Sequence, residues 1–161
     1  MAVAARIEEI RTEVTNLAQS SPSAQELMQA MVKLLHDRML KYNWVGFYML
    51  EPGAEPPMLV LGAFEGAMTP HTRIPLNQGI CGAAASSGQT VVVDDVNKDP
   101  RYLACSLETK SEIVVPIFMR GKVVGELDID SHFAAAFTPE HQELVQYCAM
   151  LVGKKLAAPS A

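Results

Sequence analysis

The chain has 161 residues, 49% of them hydrophobic and 19% charged, which suits one compact domain and argues against disorder. A net charge of −5, with a pI near 5.3, leaves no basic track for a phosphate backbone, so nucleic acid is not an expected partner. The apolar runs are too short and too interrupted by charge to span a membrane, so no membrane association is expected.

The first segment, residues 4–19, places Ile7, Ile10, Val14 and Leu17 at helical spacing. Glu8 and Glu9 stand where a signal peptide needs an apolar centre, so a cytoplasmic location is the expectation. Pro22 should end this helix. A second helix is predicted over 23–41, with Leu27, Met31, Leu34, Leu35 and Met39 on its apolar side. Ser23 is its N-cap and Glu26 completes a capping box. Residues 43–50 are aromatic and apolar and read as a strand, and Met58 to Phe64 read as another. The turn Pro52-Gly53 to Pro56-Pro57 between them predicts a hairpin.

Residues 66–78, with Pro70 and Pro75, read as irregular. A short Ala-rich helix is predicted at 80–86, then a short strand over 90–93 and a polar stretch over 94–101 that leads to Cys105. Strands are predicted at 112–119 and 123–130, joined by the tight turn Arg120-Gly121-Lys122. A final helix opens at Thr138-Pro139 with Thr138 as cap, and carries Leu144, Val145, Cys148, Leu151 and Val152 on one face. The order predicts an α+β fold, an antiparallel sheet with helices packed on one face and a loop-covered pocket on the other. The whole chain, 1–161, reads as a single domain with its core over about 23–156.

Cys105 stands in a polar loop, ahead of a strand that starts with Glu112 and a hairpin partner that ends in Asp128-Ile129-Asp130. Alternation puts Asp128 and Asp130 on one sheet face and gives Leu127 and Ile129 to the opposite, core face. Two acids on a face that should be covered favour a pocket. Cys148 lies on an apolar helical stripe and reads as core. Cys81 reads equally as a small core residue or as a redox partner. His36, His71, His132 and His141 are scattered without ligand spacing, so no metal is expected; the nearest set would be His132 with Asp128 and Asp130. Gly79 and Gly82 are not followed by Lys-Ser/Thr and do not form a phosphate loop.

Trp44-Val45-Gly46-Phe47-Tyr48, Arg73-Ile74-Pro75, Gly79-Ile80-Cys81-Gly82, Ala104-Cys105, Ser111-Glu112 and Leu127-Asp128-Ile129-Asp130 together resemble a GAF domain of one family, the free methionine-(R)-sulfoxide reductases. The resemblance spans about residues 25–152. It implies reduction of the R epimer of free methionine sulfoxide. It also implies Cys105 as catalytic thiol, Trp44 and Tyr48 as pocket aromatics, and Glu112, Asp128 and Asp130 as pocket acids. Cys81 falls on a further family cysteine. Many members carry another cysteine before the Arg-Ile-Pro segment, where this chain has His71, so Cys81 or an external thiol would have to resolve an oxidised Cys105.

These residues suit sulfoxide chemistry. A thiolate must attack sulfur while an acid gives the oxygen a proton. Crowded carboxylates keep such a proton, because like charges raise one another's pKa. Glu112 and Asp130 are assigned to the sulfoxide and Asp128 to the ammonium group, with Arg101 and Lys110 offsetting the acids beside Cys105. Backbone N–H groups over Gly79 to Gly82 could receive the substrate carboxylate. The product is a Cys105 sulfenic acid, recycled by a thioredoxin-like reductant drawing on NADPH, with no bound cofactor. The rival reading is a GAF sensor that binds a small ligand without turnover. The amphipathic end helices also permit a homodimer.

Overall fold

The computed structural model describes residues 2–103 and 107–158. Two helices come first, α1 (Ala2–Ser20) and α2 (Ala24–Arg38). Ser23 caps α2 as predicted, its side chain accepting the Glu26 N–H at 3.1 Å. The helix stops at Arg38, three residues short of the predicted end. Met39 turns extended there, while its N–H still bonds the Leu35 carbonyl. The hairpin β1 (Trp44–Leu50) and β2 (Met58–Glu65) follows.

The stretch 66–78 is not wholly irregular. Arg73–Pro75 forms β3, which pairs antiparallel with the start of β2. Three residues, the last of them a proline, are too few to show strand alternation, which is why the pattern hid it. Next come α3 (Gly79–Ser87), β4 (Val91–Val93) and a short 3-10 turn at Val96–Lys98. The long hairpin β5 (Ser111–Met119) and β6 (Lys122–Ser131) turns at Arg120 and Gly121, both with positive φ, as a two-residue hairpin with matching twist requires. The last helix, α4, spans Pro139–Ala157. Thr138 occupies its N-cap position, but its hydroxyl accepts no amide there; it bonds Glu140 instead.

The six strands form one antiparallel sheet in the order β3-β2-β1-β6-β5-β4. The two strands at its centre, β1 and β6, are therefore flanked on both edges, and Trp44–Tyr48 and Gly125–Ser131 are buried. On one face Val45, Phe47, Ile113, Val115, Ile117, Leu127 and Ile129 meet the apolar stripes of α1, α2 and α4. Side-chain bonds tie that helical layer together. Thr15 and Tyr147 join hydroxyls at 2.6 Å across α1 and α4, and Arg38 of α2 grips Glu13 of α1. On the other face Trp44, Tyr48 and Val114 pack under α3, β3 and β4. The α+β reading holds, with three helices on one face and the middle segment, including α3, covering the other. Among the described residues no helix is long and apolar enough to cross a membrane.

Candidate active site

The register of the three central strands assembles the polar residues. Trp44 of β1 lies opposite Asp130 of β6, which lies opposite Glu112 of β5. One step along, Gly46, Asp128 and Val114 share a row; a further step aligns Tyr48, Glu126 and Pro116. Side chains alternate along a strand, so these three rows point to the same face, beneath the cover. Asn43 secures the end of this array. Its N–H bonds the Asp130 carbonyl at 3.0 Å, and its side chain accepts the His132 N–H at 2.7 Å.

Glu112, Asp128 and Asp130, singled out from the sequence, are brought together and buried. A fourth acid joins them. Glu126 is fully buried, with neither carboxylate oxygen hydrogen-bonded, and its carboxyl faces the Cys81 thiol. The same period of two that selected Asp128 and Asp130 reaches back to Glu126, but one acid beyond the recognised triplet gave no further signal.

Burial dominates the electrostatics. It pushes Glu112 well above the usual carboxylate range, and the nearby Asp128 and Asp130 push it further. Asp130 and Glu126 are driven well up by the same desolvation. Asp128 is raised too, but bonds from Glu112 and Cys81 restrain it. Burial and the bonds between Glu112 and the two aspartates thus favour the protonated form of Glu112 over that of a free carboxyl. The Cys81 thiol, within 3.4 Å of Asp128 Oδ2, is also pushed well up, by burial first and then by the acids around it.

This arrangement sets a stability trend. The unfolded chain releases the Glu126 proton near the ordinary value of 4.5, while the native chain keeps it to higher pH. The native state then binds more protons, so stability is greatest at low pH within this window and falls as pH rises. The slope is about 1.4 kcal/mol per pH unit for each such proton. Glu126→Gln should flatten the decline in unfolding free energy between about pH 5 and about pH 8. An unchanged slope in urea titrations would remove Glu126 from this account.

The aromatic residues hold the cover. Trp44 donates its indole N–H to the Ala67 carbonyl at 3.0 Å and stacks between Tyr48 and Phe64. Tyr48 donates its hydroxyl to the His71 carbonyl at 2.6 Å. The segment 66–72 is therefore strapped down at both ends by the two predicted pocket aromatics. A Cβ built at Gly46 would overlap the Trp44 ring. Gly46→Ala should displace the indole, and a shifted fluorescence emission of this single tryptophan would report it; unchanged emission would count against the close packing.

Among the described residues, two separate cavities border the acids, where the sequence suggested one pocket. The larger, about 340 Å³, is lined by Trp44, Asp130, Glu108, Thr109, His132 and the segment 66–69, with Asn43 and His36 at its edge. The smaller, about 20 Å³, is lined by Tyr48, Cys81, Glu112, Asp128, His71 and Leu103, among others. Cys105 lies outside the described residues, but both flanks of its segment reach the site: Leu103 the smaller cavity, Glu108 and Thr109 the larger. Arg101 does not serve as a free counter-charge. Its guanidinium is held by Asp99 at 2.6 Å. Cys148 is buried in the helical layer, as its stripe indicated. The N-terminus of α3 has no side-chain cap, since Gln78 bonds none of its first amides.

A fold of this kind, with a covered polar site on one sheet face, is that of a GAF domain, and the GAF domain family model matches residues 23–156. The chain is similar to the free methionine-R-sulfoxide reductase of Escherichia coli strain K12, at 36% identity over 124 residues, 77% of this chain and 72% of that one. It is 42% identical to the Saccharomyces cerevisiae free methionine-R-sulfoxide reductase over 113 residues, 70% of this chain and 62% of that one. The X-ray structure of free methionine-R-sulfoxide reductase from Neisseria meningitidis in complex with its substrate superposes with a TM-score of 0.87 at 33% identity, over 94% of this chain and 89% of that one. The chain belongs to the free methionine-R-sulfoxide reductase family of GAF domains.

Proposed function

We propose that this chain, folded as one domain over 1–161, reduces free methionine (R)-sulfoxide to methionine in the cytoplasm. The observation that carries the reading is the buried cluster of Glu112, Asp128 and Asp130, set beneath Trp44 and Tyr48 and bordered by the segment that contains Cys105. The Cys105 thiolate attacks the sulfoxide sulfur while Glu112 or Asp130 protonates its oxygen. A sulfur–sulfur bond to Cys105 forms as the sulfur–oxygen bond breaks and the oxygen leaves as water. Water then attacks the Cys105 sulfur, the sulfur–sulfur bond breaks, methionine leaves with its two electrons, and Cys105 is left as a sulfenic acid. A second thiol condenses with it, releasing water and forming a disulfide. Two exchanges with a thioredoxin-type dithiol restore the starting state, with NADPH as the ultimate source of electrons.

Cys81 is the resolving candidate, with Asp128 Oδ2 placed to receive its proton. Asp128 also suits the substrate ammonium, and the uncapped N-terminus of α3 suits its carboxylate. Both ends of a free amino acid would then be satisfied, which a peptide-bound residue cannot offer. The test is NADPH consumption with thioredoxin and thioredoxin reductase, comparing free R and S methionine sulfoxide. Turnover of R alone is expected. Failure to turn over R, together with no single-turnover burst of methionine, would favour a ligand-binding sensor instead.

A further inference from the structure

The smaller cavity is the wrong size for an amino acid. At about 20 Å³ it exceeds what one water requires, roughly 10–15 Å³, and no more. Its walls bring Cys81, Glu112 and Asp128 together, and one donor atom from each lies within 4.8 Å of the others. The three come from α3, β5 and β6, so packing of α3 on the sheet fixes them in advance.

The spacing suits a tetrahedral ion. Zinc–sulfur bonds of about 2.3 Å and zinc–oxygen bonds of about 2.0–2.2 Å place a sulfur and an oxygen ligand roughly 3.5 Å apart. Cys81 Sγ and Asp128 Oδ2 are 3.4 Å apart. Independently, Asp128 lines the cavity with its Oδ1 buried and unpartnered, and the whole residue is only 4% exposed. Both oxygens of Glu126, beyond the thiol, are unpartnered as well. A mixed set of one sulfur and two carboxylates favours a thiophilic cation over magnesium or calcium.

We propose that Cys81, Glu112 and Asp128 form a binding site for one zinc-class divalent cation in the reduced protein, and that the ion blocks the active site. Binding displaces the thiol proton and the carboxyl proton to solvent, leaving a thiolate and two carboxylates around the dication. Affinity therefore rises with pH, and oxidation of Cys81 to a disulfide removes the site. The blocking of turnover rests on the function proposed above; the binding of the ion does not.

The test is titration of the reduced protein with Co2+, followed by its sulfur-to-metal charge-transfer band, with Zn2+ as competitor. One equivalent should produce the band and Zn2+ should remove it. The band should survive in Cys105→Ser and Cys148→Ala and vanish in Cys81→Ala. Asp128→Asn should weaken binding at least about tenfold; if that variant unfolds on heating well below the parent, Glu112→Gln replaces it. Zn2+ should also raise the unfolding temperature of the parent, but not of Cys81→Ala. A band that persists in Cys81→Ala, or none at millimolar Co2+, overturns the proposal. A Co2+ band in a protein that never reduces the sulfoxide would sink the enzyme reading and leave the metal site standing.

Discussion

Cys105→Ser is expected to abolish methionine formation, with loss of roughly 10⁴-fold or more, the scale on which removal of a covalent nucleophile is felt. A hydroxyl has neither the acidity nor the polarisability to attack the sulfoxide sulfur, and carboxyl groups cannot supply electrons. The comparison with Cys81→Ser makes the result specific. That variant should still release one equivalent of methionine in a single turnover and trap Cys105 as a sulfenic acid, detectable by a selective nucleophilic probe. Steady thioredoxin-dependent turnover should then be lost if Cys81 resolves the intermediate as proposed, and should persist if an external thiol reduces Cys105 directly. Cys148→Ala, in the helical layer away from the acids, should change neither phase. A Cys105→Ser protein that still gives the burst would dismiss Cys105 as the nucleophile.

Glu112→Gln should lower kcat by about 10²–10⁴, the range usual for loss of a general acid. Burial and two neighbouring aspartates raise Glu112 above the ordinary carboxylate range, which favours the protonated form a general acid must have. An amide keeps the shape and one donor but cannot deliver a proton to the leaving oxygen. The sign of the pH effect follows. The parent enzyme needs the protonated form, so its rate should fall on the alkaline side as the cluster loses its last proton. That limb belongs to the coupled cluster and not to one residue. Glu112→Gln should be slow at every pH and lack the limb. Rates from about pH 5 to about pH 9 would decide it; a variant with parental kcat would exclude Glu112 as the acid.

Much of this site could be read from residue order alone, and the reasons differ by element. Asp128 and Asp130 were legible because strand alternation is strict, and Leu127 and Ile129 between them occupy the opposite, core face. Glu112 was legible because it opens the strand paired with them. Glu126 was not, since a glutamate four residues before Asp130 looks like any strand polar until its complete burial is seen. The strand β3 was hidden by its three-residue length, and Arg101 by its pairing with Asp99, a local turn contact that spacing does not reveal. No metal set was expected from residue order, and the convergence of Cys81 with Glu112 and Asp128 was hidden, because only the packing of α3 on the sheet brings that thiol to the acids.

The pairing of Glu126, Asp128 and Asp130 with the rows of β1 and β5 has a consequence for how errors are caught. A one-residue slip of β6 would turn Leu127 and Ile129 into the polar cavities and drive all three acids into the helical layer. Such a misfolded chain would lose its chemistry and its core in the same step. Selection for activity on this strand is therefore also proofreading of the fold, and no stable but inactive version of the sheet lies one residue away.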